Sequence, residues 1–189
     1  MIEVITEAIV LDKEDLGEAD SRIFLYTKDY GKVIARATSA RKITSKLASH
    51  LEPFDRITVR FASKMDNISE GRGLQITDAL LIESKKGHNG GNEENFRNAL
   101  KTMYFISRAV PNGVVDNDLW NFLRRIRIEG VKSSIRETLE FLGFGASFAS
   151  CELCSKSGPE YFYPKNNMFV CGCCLPTSPE LKEEFFKLA

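Results

Sequence analysis

The fold is decided by residues 22–38, which read RIFLYTKDYGKVIARAT. Two apolar segments of strand length, RIFLYT and KVIARAT, flank the tight-turn sequence DYG. The pattern therefore predicts a β-hairpin. Strand alternation places four residues on one face of its second strand: Lys32, Ile34, Arg36 and Thr38.

Three further segments extend this hairpin into a larger β structure. Residues 6–12, 54–63 and 74–82 have the alternating apolar pattern of strands, and residues 43–51 leave room for a short helix or ordered loop. Five strands with such an insertion after the third fit an OB-like barrel. The pattern alone also leaves a β-sandwich fragment or an SH3-like barrel open.

Beyond the strands, the apolar period becomes helical. Helices are predicted over residues 93–110, from 116 or 117 onward, and over 132–142. We therefore expect an α+β protein whose parts follow in order: an OB-fold barrel (1–84), a glycine-rich linker (85–92), a small helical domain (93–150), a cysteine module (151–175) and a C-terminal helix (176–189).

Charge is unevenly distributed along a chain whose net charge is zero. Between residues 21 and 64 there are ten basic and three acidic residues, a local net charge of +7. Such segregation is typical of a surface that binds a polyanion, although a solvated surface without a ligand stays open. The basic residues are Arg22, Lys28, Lys32, Arg36, Arg41, Lys42, Lys46, Arg56, Arg60 and Lys64.

Several classes of protein are disfavoured. The opening residues MIEVITEAIV lack the pattern of a signal peptide, and no apolar run approaches the roughly 20 residues of a membrane span. We therefore expect a cytoplasmic protein. The two histidines, His50 and His88, have no nearby partner that suggests a catalytic group, so no enzyme activity is expected.

All five cysteines lie between residues 151 and 174. Cys151 and Cys154 form one CxxC pair, Cys171 and Cys174 form a second, and sixteen residues separate the pairs. This spacing predicts a structural zinc site, because four thiolates complete the tetrahedron and leave no position for water. An iron–sulfur cluster and buried free thiols are the alternatives, and Cys173 is the thiol left over.

The order of short motifs resembles the RecO family of recombination mediators. The resemblance is carried by AIVL (8–11), GEAD (17–20), LYT (25–27), GKV (31–33), ARK (40–42), SKL (45–47), LEPF (51–54) and the two cysteine pairs. It implies an OB fold, a helical domain and a zinc module. Where the family usually has Ala-Lys-Gly-Ala-Arg, residues 37–41 are ATSAR, so a lysine and a glycine are replaced.

The same resemblance implies that the protein binds single- and double-stranded DNA and anneals complementary strands. With RecR it would help RecA displace the single-strand binding protein SSB. A zinc-ribbon adaptor that binds proteins and not DNA is the competing hypothesis.

Particular residues are expected to carry this function. A basic track for DNA is predicted from Lys32, Arg36, Arg41, Lys42 and Lys46, with Tyr30 as the aromatic ring that stacks on a base. A rim of Arg124, Arg125 and Arg127 around apolar residues would receive the acidic tail of SSB, although a solvated helix face explains it as well.

Overall fold

The computed structural model describes residues 2–42, 47, 50–63, 68, 70, 71, 73–84, 93–129 and 135–188. The chain forms two compact units, Met1–Gly130 and Val131–Ala189. The predicted linker and most of the insertion after the third strand lie outside the described residues.

The first unit contains a closed five-stranded barrel. Its strands lie in the order β1-β2-β3-β5-β4, and β4 pairs with β1 to close the sheet. All neighbouring pairs are antiparallel except β3 and β5, which run parallel. This is the OB-like arrangement expected from the five alternating segments. The bounds are β1 Ile2–Leu16, β2 Asp20–Thr27, β3 Gly31–Ala37, β4 Arg56–Ser63 and β5 Leu74–Glu83.

The barrel is filled by the inward-facing half of each strand. Every second side chain points inside, so the alternation in the sequence becomes a single apolar core. Among its fully buried members are Val10, Leu25, Val33, Val59 and Phe61.

Two helices belong to the same unit as the barrel: α1, Glu93–Ala109, and α2, Asn117–Glu129. Asp116 caps α2 because its Oδ1 accepts hydrogen bonds from the N–H groups of Asp118 and Leu119. The sequence predicts a separate helical domain at 93–150. In the structure, α1 and α2 belong to the unit that contains the barrel, whereas α3 belongs to the second unit.

The second unit contains α3, Ile135–Phe141, and a small sheet in the order β7-β6-β8. Strands β6, Tyr161–Tyr163, and β7, Met168–Val170, form an antiparallel hairpin around residues 164–167. None of the described helices is long and apolar enough to cross a membrane.

The prediction of a C-terminal helix over residues 176–189 is wrong for most of its length. Only α4, Pro179–Lys182, is helical, and Phe186–Lys187 forms β8, which pairs with β6. The ring of Phe185 stacks on Tyr163 with centroids 4.7 Å apart. The segment therefore gains more from joining the sheet than from extending a short isolated helix.

Candidate nucleic-acid interface and metal site

The outer face of β2 and β3 is the surface with which OB folds bind oligonucleotides. Three cross-strand pairs lie along it: Arg22 opposite Arg36, Phe24 opposite Ile34, and Tyr26 opposite Lys32. The first pair lies near the β1–β2 turn, and the last lies near the tight turn of the hairpin.

The segment after α1 covers the end of this face near the hairpin turn. The N–H of Asp116 donates a 3.0 Å hydrogen bond to the hydroxyl oxygen of Tyr26. Gly31 lies so close to this segment that an added Cβ would stand 2.0 Å from the carbonyl oxygen of Val114. Only glycine fits here.

Lys32 is buried beneath the same cover. Its side-chain nitrogen donates a 2.9 Å hydrogen bond to the carbonyl oxygen of Ser107 in α1, and the residue is 6% exposed. Burial, with a smaller effect from the charge of Arg108, lowers the pKa of Lys32 to about 8. The expectation that Lys32 lies on an open DNA-binding surface is therefore wrong.

Arg108 of α1 covers the middle of the face. Its guanidinium lies 4.4 Å from the ring centre of Phe24 and 4.8 Å from that of Tyr104. It also pairs with Asp12 at 2.8 Å and with Glu14 at 2.6 Å. Helix α1 and the segment after it therefore occupy most of the usual OB surface.

The uncovered end of the face carries a cluster of basic side chains, which we call the open end: Arg22, Arg36, Arg41 and Lys42. Arg36 donates to the carboxylate of Asp20, 2.7 Å from Nε, and remains 59% exposed at its side chain. Arg41 donates to the carbonyl oxygen of Gly17 at 2.9 Å. The segment that follows β3 is thus hydrogen-bonded to the β1–β2 turn.

Asp20 organises this corner of the barrel. Its carboxylate accepts the N–H of Ser39 at 2.7 Å as well as the guanidinium of Arg36. These two hydrogen bonds, and the nearby charge of Lys42, hold the pKa of Asp20 below its usual range.

Each arginine of the open end has an acidic partner. Arg22 pairs with Glu14 at 3.4 Å, Arg41 with Asp15 at 3.2 Å, and Arg36 with Asp20. Lys42 is exposed and has no ion pair within the part of the chain that the structure describes. Much of the local positive charge is therefore balanced internally.

The four cysteines of the two CxxC pairs come together in the second unit. The sulfurs of Cys151, Cys154, Cys171 and Cys174 all lie within 4.8 Å of one another, and those of Cys154 and Cys171 are 3.6 Å apart. Sulfurs that bind one ion tetrahedrally at about 2.3 Å lie about 3.8 Å apart. The group is therefore able to hold one metal ion, and Cys173 is not part of it.

Local structure explains how these sulfurs converge. Each pair lies in a turn, which is closed by a hydrogen bond from Ser155 N–H to the Cys151 carbonyl in the first pair and from Cys174 N–H to the Cys171 carbonyl in the second. Backbone N–H groups, chiefly that of Cys171, lower the pKa of Cys151 to about 6, whereas the neighbouring Cys154 and Cys171 thiols raise that of Cys174 to about 12. A cation would relieve this crowding of thiolates.

Comparisons with known proteins agree with this architecture. The model of the family described as "Recombination protein O N terminal" matches residues 1–79. "DNA repair protein RecO" of Thermodesulfovibrio yellowstonii is 29% identical over 182 residues, which cover 89% of this chain and 69% of that protein. The chain is similar to RecO proteins over most of its length.

Two other RecO proteins show how the likeness is distributed. That of Pelotomaculum thermopropionicum is 26% identical over 181 residues, covering 89% of this chain and 67% of the relative. That of Streptomyces coelicolor is 43% identical over only 70 residues, covering 37% of this chain and 28% of the relative. The chain is thus similar to RecO proteins well beyond the 79 residues of the N-terminal family model.

The replaced glycine of the RecO motif has a visible structural consequence. Ser39 stands at the glycine position of the usual Ala-Lys-Gly-Ala-Arg stretch and has a φ of 54°, in the left-handed region. This turn therefore keeps a conformation that suits glycine, although serine occupies it. The bond from Ser39 N–H to Asp20 holds the turn in place.

The remaining predicted residues lie in different environments. Tyr30 is half-buried and packs against the barrel core, so its role in stacking stays a prediction. Arg124 is half-buried, and Arg125 is exposed with its guanidinium 5.6 Å from the Phe122 ring centre. Two predicted groups fall outside the described parts, namely Lys46 and the side chain of Arg127.

Arg22 was not among the predicted DNA-binding residues, although the sequence contained the signal. The hairpin pairs Thr27 with Gly31. Five positions further from the turn on each strand, Arg22 lies opposite Arg36. The turn sequence therefore implies the neighbouring pair of arginines.

Proposed function

We propose that this chain binds DNA through the open end of its barrel and acts in recombinational DNA repair. The support is one juxtaposition: Arg22, Arg36, Arg41 and Lys42 lie at the only part of the β2–β3 face that α1 and the segment after it leave uncovered among the described residues. Similarity to DNA repair proteins of the RecO family supports the repair role.

The chemistry required for binding is charge neutralisation. Lysine and arginine side chains bind phosphates and release condensed cations, without reading base sequence. The cover over Tyr26 and Lys32 means that a strand cannot follow the whole usual OB path. It would instead run across the row formed by Arg22 on β2 and Arg36 on β3, towards the exposed Lys42.

Strand annealing is the activity we propose for this surface. Two polyanions approach each other when cations screen their phosphates, and no acid–base chemistry is needed. Further proposals follow from the family resemblance: cooperation with RecR, the loading of RecA on SSB-coated strands, contact of the SSB tail with Arg124, Arg125 and Arg127, and a cytoplasmic, nucleoid-associated location.

Zinc is the metal we propose for the four-cysteine group. Thiolate ligands and the close sulfur spacing suit a closed, structural zinc site. Cys151, Cys154, Cys171 and Cys174 would hold the ion, whose role is to stabilise the second unit.

The binding proposal is tested by fluorescence anisotropy with a labelled single strand at about 50 and 200 mM salt. Arg22→Gln/Lys42→Gln should lower the affinity and reduce the slope of log K against log salt by about 1.4, because two phosphate contacts are lost. Neither substitution leaves a buried charge unpaired.

A matched control removes the same charge elsewhere on the barrel. Lys28→Gln/Arg60→Gln changes two exposed residues away from the open end, one at the hairpin turn and one on β4. Equal losses in the two double variants would show that only net charge matters and would contradict the assigned site.

The internal ion pairs favour a second candidate, a protein adaptor that does not bind DNA. Each arginine of the open end already has a carboxylate partner, so the local excess of positive charge is small. A wild-type protein that binds no strand at low salt but forms a stable complex with a protein partner would support this alternative.

A further inference from the structure

Two exposed carboxylates lie beside the arginines of the open end. Glu14 and Asp15 lie at the end of β1, where Glu14 pairs with Arg22 at 3.4 Å and Asp15 pairs with Arg41 at 3.2 Å. The side chains of Glu14 and Asp15 are 36% and 66% exposed, so a phosphate is able to reach both pairs.

Asp20 differs from these two residues. Its side chain is only 12% exposed, and it accepts hydrogen bonds from the Ser39 backbone and from Arg36. It is therefore a structural clamp for the turn, and its bonds are not readily exchanged. Glu14 and Asp15 are solvated, and exposed ion pairs of this kind are weak.

Glu14 has a second partner that makes exchange easy. One of its oxygens lies 2.6 Å from Arg108, which also pairs with Asp12 at 2.8 Å. When a phosphate takes Arg22, the Glu14 carboxylate keeps its bond to Arg108 and is not left unpaired. Loss of the Arg22 contact therefore costs no more than one exposed ion pair.

Arg41 is prepared for exchange in a similar way. One guanidinium nitrogen, Nη1, is held by the Gly17 carbonyl oxygen, while the other, Nη2, pairs with Asp15. The bond to Gly17 keeps the side chain oriented if Asp15 departs. Nη2 is then free to bind a phosphate without a search for the correct rotamer.

We propose that Glu14 and Asp15 act as internal counter-ions that weaken DNA binding and set how readily a strand is released. This inference rests on the proposed DNA-binding function. Reversible pairing suits annealing, since the protein must leave the finished duplex. The two carboxylates are therefore positioning residues that tune affinity through Arg22 and Arg41.

Glu14→Gln/Asp15→Asn should raise the affinity for a single strand about fivefold at low salt, because two exposed pairs no longer compete. The salt dependence should also become steeper. In the wild type, a carboxylate displaced by phosphate takes up a cation, which lowers the net number of cations released, and the variant has no such carboxylate. Fluorescence anisotropy over a salt series measures both quantities, and a thermal melt checks that the variant is folded.

Glu18→Gln is the matched control. Glu18 lies in the same turn, is exposed, and has no ion pair among the described residues. Its replacement removes one negative charge, against two in Glu14→Gln/Asp15→Asn, and no competitor, so we expect an increase of less than about twofold. An increase equal to that of Glu14→Gln/Asp15→Asn would overturn the inference.

A double-mutant cycle separates direct pairing from general charge. In an Arg22→Gln background, Glu14→Gln should no longer raise affinity, because its competitor role requires Arg22. A persistent increase would contradict the proposal. If the wild type binds DNA and neither Glu14→Gln nor Glu14→Gln/Asp15→Asn binds more tightly, this inference alone is overturned. If none of the proteins binds DNA, the proposed function is overturned with it.

Discussion

The barrel and the four-cysteine group of the second unit differ in how much apolar surface they bury. In the part of the chain that the structure describes, the barrel core contains sixteen buried apolar residues, contributed by all five strands and their connections. In contrast, the cluster beside the four sulfurs has three buried members among the described residues, Cys151, Val170 and Cys171, with a separate group of three aromatic rings nearby. Small modules of this kind depend on a metal, whereas the barrel is able to rely on apolar burial.

The largest expected effect is the loss of the metal. Cys151→Ser, or removal of the metal with a chelator, should unfold the β7-β6-β8 sheet, because structural zinc supplies on the order of 10 kcal/mol in small zinc-binding peptides. The barrel should remain folded, since the described residues of its core all belong to the first unit. Metal analysis and amide hydrogen exchange in both units measure this difference.

Cys173→Ser is the control for that experiment. The Cys173 thiol is exposed and lies outside the four-sulfur group, so the Cys173→Ser variant should retain one zinc ion per chain. Retention of metal and sheet by Cys151→Ser would contradict the comparison between the two units.

The second prediction tests the apolar core of the barrel. Phe61→Ala should lower the free energy of unfolding by about 3–5 kcal/mol, because it leaves a cavity among side chains that cannot fully collapse. Urea denaturation measures the loss. Leu80→Ala on the adjacent strand is the control, since that side chain is 62% exposed and should change stability little.

The pH dependence of stability at Lys32 tests whether α1 is firmly packed on the barrel. Because burial lowers the pKa of Lys32, the folded protein binds fewer protons than the unfolded chain between about pH 8 and 10.5, so stability should rise with pH in that range. We expect Lys32→Met to lose about 3 kcal/mol of this rise, since each unit of pKa shift corresponds to about 1.4 kcal/mol. Parallel pH curves for wild type and Lys32→Met would show that the lysine is exposed in solution.

Ser39 should give the smallest effect. Ser39→Gly is expected to stabilise the protein by about 0.5–1 kcal/mol, because glycine adopts a φ of 54° without steric cost. Thr38→Gly, one residue earlier and not in the left-handed region, should have the opposite sign. Thermal melts compare the two, and a destabilised Ser39→Gly would mean that the turn carries no strain.

Local sequence patterns were sufficient to predict the barrel strands and the cysteine group. Alternation predicted the five barrel strands, and the spacing of Cys151, Cys154, Cys171 and Cys174 predicted the sulfur cluster. Both features depend on residues close together in sequence or on a fixed chemical requirement, so local reasoning reaches them.

Features that depend on distant contacts could not be predicted in this way. Lys32 has the alternation of a surface residue, but Ser107 and Asn112, more than seventy positions away, cover it. Phe186 and Lys187 lie in a helix-like pattern, yet pairing with β6 makes them a strand. Tertiary packing overrides local propensity at both places.

The central claim is that DNA contacts the open end of the barrel. Amide hydrogen exchange with and without an oligothymidylate of about 20 nucleotides tests it most directly, since that length exceeds the site of one OB fold. Protection should increase around Arg22 and at residues 39–42, with no change in the covered segment around Tyr26 and Lys32. Protection confined to the cysteine module, or absent from both segments of the open end, would contradict the account.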